Sequence, residues 1–179
     1  MIFAIESVAA CLLFTLMLEL VTRNRREAFA NDYPPVVTDR LRALGLIAQK
    51  PRAKKKDIIR KVIALLVYAL LFALLLRYVN GIETFWKGTL TAYGLWLVVD
   101  WYDFFVVDIL LAPFDKFYKA AEVSAFDKSA VMFHFKGSLR GTVLGLLFAP
   151  IAGFFVMLLY NTWVLRVGEL WPPALKIQR

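Results

Sequence analysis

The chain has 179 residues, of which 60% are hydrophobic and 15% aromatic, and its net charge is +8. A mean hydropathy of +0.63 is too high for a soluble domain of this length, and apolar runs separated by basic clusters indicate a polytopic membrane protein. The single cysteine, Cys11, excludes an internal disulfide, and the single histidine, His134, excludes a multi-histidine metal site within one chain. Because the basic residues flank apolar runs, we expect anionic lipid head groups, and not nucleic acid, as their partners.

Four apolar segments are each close to the length of about 20 residues that a lipid bilayer requires. They span residues 2–21, 62–79, 90–113 and 142–165, with approximate ends. Helices are expected because the runs show no alternation and because lipid leaves no backbone group unsatisfied. The prediction is an all-α membrane protein with four transmembrane helices in one domain over residues 1–179. Basic residues follow the first run rather than precede it, which predicts a retained helix instead of a cleaved signal peptide.

Lysine and arginine are concentrated in the two longer connections, residues 22–61 and 114–141. By the positive-inside rule these connections are cytoplasmic, and both termini lie on the other side of the inner membrane. In the first connection, residues 32–35 (Asp-Tyr-Pro-Pro) are typical of a helix start. Val37 and Leu41 then share one face, which predicts a short amphipathic helix on the inner membrane surface. The second connection, rich in phenylalanine and lysine, is expected at the same interface.

Small residues recur every four positions through the fourth segment. They are Gly137, Gly141, Gly145, Ala149 and Gly153. Small residues at this period form a groove that lets another backbone come close. We favour packing within the chain over packing against a second copy. Pro150 lies in the same run, where proline is able to kink a helix.

Polar residues recur every four positions along the first segment. They are Ser7, Cys11, Thr15 and Glu19. This face is expected to look into the helix bundle, although serine and threonine also hydrogen-bond carbonyl groups of their own helix. Glu19 lies near the inner boundary, where Arg23 or a basic residue of the connection is its expected partner.

Three aspartates lie inside the third segment, at Asp100, Asp103 and Asp108. A carboxylate at the centre of a bilayer costs roughly 2.5–3.5 kcal/mol on insertion scales. Asp108 lies toward the cytoplasmic end, within reach of Lys116 or Lys119. Asp100 and Asp103 are three residues apart and share a helical face, but no cationic side chain falls at their depth. The pair therefore shares a proton, holds a cation or meets a water-filled cavity. A protonated aspartate that hydrogen-bonds within the bundle is the structural alternative.

His134 precedes the fourth helix in the sequence Phe-His-Phe-Lys-Gly of residues 133–137. A hydrogen-bonded histidine at the interface is the simplest interpretation, and contact with Asp108 or with a lipid phosphate is the functional alternative. No Walker loop, nucleophile elbow or zinc-ligand spacing is present. The sequence therefore identifies neither a cofactor nor a metal.

Three stretches of the chain are shared with proteins of one family. They are residues 31–35 (Asn-Asp-Tyr-Pro-Pro), residues 95–103 with Asp108, and residues 133–137. On these motifs the chain resembles a family of small bacterial integral membrane proteins with no assigned activity. The resemblance spans most of the chain and implies the four-helix architecture. A P-G-T-E-like stretch that is usual in such proteins is replaced here by residues 118–126.

Three functional hypotheses follow. The first is membrane binding or transport of a proton, a cation or a small polar substrate by Asp100 and Asp103. Because four helices are few for a transporter, we expect it to work as a homo-oligomer or as part of a larger complex. The second is an accessory subunit that contacts a larger complex through the glycine face. The third, which we favour least, is an intramembrane enzyme that acts on a lipid or prenyl substrate. It rests on the aspartates, which resemble the magnesium-binding motif of intramembrane prenyltransferases, although the interval before Asp108 departs from that motif and no second motif is present.

Overall fold

A computed structural model describes residues 2–23, 33–47 and 55–170, and every regular element in these ranges is helical. In chain order the elements are α1 (Ile2–Arg23), α2 (Pro35–Ala43), α3 (Lys55–Tyr78), α4 (Phe85–Tyr102), a π-helix (Asp103–Leu111), a 3-10 turn (Ala112–Phe114), α5 (Lys116–Ala121) and α6 (Lys128–Leu170). The all-α prediction is confirmed for this part of the chain. Predictions about the basic side chains of residues 23–26 and 50–61, and about side chains after residue 162, lie outside the described side chains.

Contacts between residues divide the chain into two compact units. The first unit comprises Met1–Lys55 and Leu95–Gly145, and the second unit comprises Lys56–Gly94 and Leu146–Arg179. Helices α4 and α6 each contribute residues to both units. The single transmembrane domain inferred from the sequence stays a prediction.

Within residues 2–23, 33–47 and 55–170, two helices are long and apolar enough to cross a membrane. The apolar stretches are Phe3–Leu20 in α1 and Lys128–Thr162 in α6, and α3 holds a shorter one, Leu65–Tyr78. Most side chains of the α1 stretch are exposed, with Leu12 at 63% and Leu13 at 65%. A helix buried in the core of a soluble protein would hide these leucines, whereas a lipid-facing helix exposes them. Length and composition therefore support two spans, and four spans stay a prediction.

Helix α6 begins fourteen residues before the apolar segment predicted from the sequence, at Lys128 rather than near residue 142. The reason is a local cap, since the Asp127 Oδ1 atom accepts a hydrogen bond from the Ser129 backbone nitrogen at 2.8 Å. Hydrogen bonds from the Ser129 side chain and backbone also lower the pKa of Asp127. The last part of the predicted 114–141 connection is consequently helical, and α6 continues through Pro150.

The apolar face of α2 is covered by the protein itself. Val37 and Leu41 are fully buried in a cluster of the first unit that includes Tyr118 and Ala121 of α5. This differs from the lipid contact expected for an amphipathic surface helix. Helix α2 leaves Val36 exposed, and its C-cap residue, Leu44, is 49% exposed.

Helix α5 is short and is fixed at both ends. Its N-cap is Asp115, whose Oδ1 atom accepts a hydrogen bond from the Phe117 backbone nitrogen at 2.7 Å. The Tyr33 hydroxyl donates to the Oδ2 atom of the same carboxylate at 3.0 Å. At the other end Glu122 adopts a left-handed conformation with φ of 55°. These contacts hold the segment that follows the π-helix in one position within the first unit.

In the second unit, the first half of α4 packs closely against α6. A methyl group placed on Gly153 would lie 2.7 Å from the Phe85 carbonyl oxygen and 2.9 Å from the Thr89 backbone nitrogen. On Gly88 it would lie 3.2 Å from the Gly153 Cα atom. Only glycine allows two helix backbones to approach this closely. The small-residue face of α6 is thus occupied by α4 of the same chain at this position.

Candidate functional site: an acidic cavity in the first unit

A cavity of about 650 Å³ lies in the first unit among α1, the end of α4, the π-helix, α5 and the start of α6. Five carboxylate side chains line it: Glu19, Asp100, Asp103, Asp108 and Asp115. His134 lines the same cavity, so the structure brings together all five residues that the sequence singles out as substrate or ion ligands. Among the lining residues that the structure describes, none is lysine or arginine.

The π-helix determines how two of the aspartates are arranged. In an α-helix, Asp103 and Asp108 would point about 140° apart. The π-helix closes its hydrogen bonds five residues along the chain, which turns residues five apart toward the same side. Both carboxylates therefore reach one cavity, and both Asp108 and Asp100 lie within electrostatic range of Asp103. With α-helical spacing, Asp103 shares a face with Asp100 alone, so the approach of Asp103 and Asp108 is a result of the π-helix.

Asp100 is held where the end of α4 meets α6. Its Oδ2 atom accepts a hydrogen bond from the Thr142 hydroxyl at 3.2 Å. The carboxylate lies against Gly141 so closely that a methyl group on that residue would overlap it. The Trp96 indole nitrogen donates to the Gly141 carbonyl oxygen at 2.9 Å. Gly141 therefore provides room for a carboxylate, a role distinct from that of Gly153.

Asp108, His134 and Tyr118 form a hydrogen-bonded chain. The His134 Nδ1 atom lies 2.8 Å from Asp108 Oδ2, and its Nε2 atom lies 2.9 Å from the Tyr118 hydroxyl. Burial, followed by the negative charges of Asp108 and Asp115, raises the pKa of Tyr118 above its ordinary value, so the phenol keeps its proton. In the neutral tautomer with its hydrogen on Nδ1, His134 donates to Asp108 and accepts from the Tyr118 hydroxyl at Nε2. This tautomer is assigned from the hydrogen-bond pattern.

The partner of Asp108 is thus His134, which the sequence analysis raised as an alternative, and not Lys116 or Lys119. The Lys119 ammonium group instead lies 5.9 Å from the centre of the Phe114 ring. Through its two ring nitrogen atoms, His134 joins Asp108 of the π-helix to Tyr118 of α5.

Asp103 differs from its two neighbours on the same wall. In the part of the chain that the structure describes, no side chain or backbone group hydrogen-bonds to its carboxylate or forms an ion pair with it. Glu19 also lines the cavity, and the side chain of Arg23, its expected partner, lies outside the described side chains. Asp103 is therefore the carboxylate whose charge the described residues leave uncompensated.

The polar face of α1 forms another part of the wall. The Thr15 hydroxyl donates to the Cys11 carbonyl oxygen at 3.0 Å and lies 2.9 Å from the Tyr102 hydroxyl, which consequently donates to it. Ser7 bonds only its own helix, through the Phe3 carbonyl oxygen at 2.8 Å. The Ser7 side chain thus bonds a carbonyl group of its own helix, which is the alternative considered above. Thr15 does so too, but it also links α1 to the end of α4.

The remaining small residues of α6 differ in their surroundings. Gly137 lines the cavity and has open space where a side chain would begin. Gly145 and Ala149 are buried. Three residues of the site, Tyr118, Asp115 and Thr142, escaped the sequence analysis. Only Asp115 has a detectable signal, as an aspartate that follows Pro113 in a position typical of an N-cap.

The cavity combines negative charge with aromatic surface. Tyr33, Phe114, Tyr118 and Phe133 line it together with the carboxylates. Aromatic faces and carboxylates both attract cations, and the combination suits an organic ammonium group. Among the described residues, no group of three or more histidine, cysteine, aspartate or glutamate side chains is arranged to hold a metal ion.

Comparisons of the chain with protein-family models, with curated proteins and with solved structures give no match. The resemblance to small bacterial membrane proteins therefore stays an expectation that rests on the shared motifs. The chain is an all-helical protein whose first unit encloses an acidic, aromatic cavity.

Proposed function

We propose that this chain is a multi-pass inner-membrane protein that binds a small cation in the acidic cavity and moves it across the membrane. The observation that carries the proposal is the Asp103 carboxylate, which faces the cavity with no compensating partner among the described residues. A charged carboxylate that is removed from bulk water requires an opposite charge nearby. With Asp100 and Asp108 on the same wall, a cation that enters the cavity is attracted by several carboxylates at once.

The aromatic part of the cavity favours an organic ammonium ion as that cation. Tyr33, Phe114 and Phe133 offer rings beside the carboxylates. The Lys119 ammonium group already lies over the Phe114 ring at 5.9 Å, so this ring accepts a cation within the protein itself. An ammonium ion with alkyl groups would gain from both the charges and the apolar surface.

The membrane placement draws on the charge distribution and the exposed apolar surfaces. The helices α1 and α6 have the length and composition of membrane spans. We propose that α3 and the continuous α4 and π-helix segment also cross the bilayer. The distribution of lysine and arginine favours a cytoplasmic location, near anionic head groups, for residues 22–61 and the segment around α5, with both termini on the other side.

The structure offers less support for an accessory subunit or for an intramembrane enzyme. An accessory subunit would use the glycine face of α6, but α4 of the same chain already covers Gly141 and Gly153. An enzyme acting on a prenyl diphosphate would need carboxylates grouped around magnesium, and the described residues contain no such group of three or more.

The test compares Asp103→Asn with Asp127→Asn, which removes the same charge from the exposed start of α6 and keeps a capping side chain. Each protein is purified in mild detergent, titrated with tetramethylammonium by calorimetry, and assayed for uptake of this ion in reconstituted vesicles. Loss of a charge–charge attraction worth about 1.4 kcal/mol or more should weaken binding at least about tenfold in Asp103→Asn. The control should retain wild-type affinity and uptake. Equal binding and uptake by both variants and the wild type would show that the Asp103 site has no part in cation binding.

A further inference from the structure

We propose that His134 is the group through which the acidic cavity exchanges a proton for its cationic ligand, so that the two bind competitively. This inference rests on the proposed function and adds the way in which that site is regulated. It follows from the position of His134 among the titratable groups of the first unit.

His134 shares the cavity with acidic and phenolic groups from the other elements that line it. The π-helix contributes Asp103 and Asp108, α4 contributes Asp100, α1 contributes Glu19, and the α5 region contributes Asp115, Tyr33 and Tyr118. Among the described lining residues, His134 is the one side chain able to become positively charged.

The hydrogen bonds of His134 define where an added proton goes. Nδ1 already carries the hydrogen that is donated to Asp108, at 2.8 Å. The free electron pair is on Nε2, which accepts from the Tyr118 hydroxyl at 2.9 Å. A proton that binds at Nε2 turns this atom into a donor, and the Tyr118 hydroxyl rotates so that its oxygen accepts. No covalent bond between heavy atoms changes.

The added proton changes the charge of the cavity by one unit. The resulting imidazolium forms an ion pair with Asp108 and reduces the negative potential at Asp103. A cation that then enters meets a weaker attraction and the repulsion of the imidazolium. When the cation is bound first, it opposes the charging of His134 by the same free energy, because linkage between two binding events is reciprocal. One proton taken up for one monovalent cation released leaves the cavity charge unchanged.

The experiment uses the fact that His134 is the only histidine of the chain. Protein labelled with ¹⁵N-histidine gives ring-nitrogen signals from one residue, which report its tautomer and its protonation. The signals are followed from pH 5 to pH 8 with and without saturating tetramethylammonium, and the affinity for this ion is measured by calorimetry at each pH. We expect the ligand to lower the titration midpoint of His134 by about one pH unit, which corresponds to a tenfold difference in affinity between the two forms.

The variant His134→Gln retains one donor and one acceptor but has no group that titrates in this range. Its affinity for tetramethylammonium should depend less on pH between 5 and 8 than that of the wild type. A His134 midpoint that the ligand leaves unchanged, although the ligand binds, would overturn this inference alone. A pH dependence in His134→Gln as large as that of the wild type would also overturn it, because the exchanged proton would then reside on a carboxylate. Absence of binding at every pH would overturn the proposed function together with this inference.

Discussion

The helices α4 and α6 meet in both units, yet the chemistry at the two contacts is different. In the second unit, Gly153 lets the α6 backbone approach the backbone of α4 near Phe85 and Thr89. In the first unit, Gly141 faces the Asp100 carboxylate and supplies a carbonyl oxygen to Trp96. In α6, Gly153 thus allows close packing of two helix backbones, whereas Gly141 leaves room for a carboxylate.

Residues of one small-residue repeat therefore have different roles in this protein. A missing side chain creates space, and the facing residue decides how the space is used. Where the facing group is backbone, the space is filled and the contact contributes to stability. Where the facing group is Asp100, the space holds a carboxylate at the edge of a polar cavity. Variants that add volume, remove a hydrogen bond or remove a charge should affect the two contacts differently.

The largest expected effect is on packing in the second unit. Gly153→Ala places a methyl group against backbone atoms of Phe85 and Thr89 that cannot turn away, so we expect a loss of about 1–3 kcal/mol in the free energy of unfolding. Gly141→Ala meets only the end of the Asp100 side chain and should cost less. Gly137→Ala has open space and should be neutral or slightly stabilising. Reversible unfolding in mixed micelles measures all three, and an equal loss for Gly153→Ala and Gly137→Ala would contradict the close contact.

The second prediction concerns the hydrogen-bonded chain in the first unit. Tyr118→Phe keeps the ring but leaves the buried Nε2 atom of His134 without its donor. The expected cost is about 1–2 kcal/mol in the same unfolding measurement, accompanied by a changed ring-nitrogen spectrum of His134. Tyr78→Phe, which removes a hydroxyl from a side chain that is 63% exposed, is the control and should be neutral. An unchanged free energy of unfolding in Tyr118→Phe would mean that the hydrogen bond between Tyr118 and His134 does not stabilise the site.

The third prediction is a gain in stability. Because the described residues leave the Asp103 carboxylate without a partner, Asp103→Leu should raise the free energy of unfolding by roughly 1 kcal/mol while it abolishes cation binding. Asp100→Leu is the comparison, since it also breaks the bond from Thr142 and should not stabilise. A destabilised Asp103→Leu protein would mean that the carboxylate supports the fold.

The smallest effect is expected at the start of α6. The pKa of Asp127 is lowered by hydrogen bonds from Ser129, so its folded-state pKa lies below the unfolded value. The resulting stabilisation is present above the unfolded pKa and is lost as the pH falls through the folded value, below about 3.8. Asp127→Asn should therefore flatten the acid limb of a stability profile slightly. An identical acid limb in both proteins would contradict the cap.

The sequence predicts much of the helical architecture because apolar length and periodicity are local properties. The early start of α6 was missed because it depends on a single cap, Asp127 with Ser129. The grouping of Asp100, Asp103, Asp108 and His134 in one cavity was partly foreseeable, since carboxylates inside an apolar segment require compensation. The hydroxyl of Tyr118 was not foreseeable, because its position depends on how α5 folds back toward α6.

The π-helix has a consequence for how this site tolerates changes in chain length. A π-turn differs from an α-turn by one residue, so deletion of a single residue between Asp103 and Asp108 would restore α-helical winding. The two aspartates would then lie four residues and about 40° apart in an α-helix, so they would still face one side. If all five intervals were kept, α-helical winding would instead turn them about 140° apart. The acidity of the cavity therefore depends on the match between the number of residues in this segment and its π-helical winding.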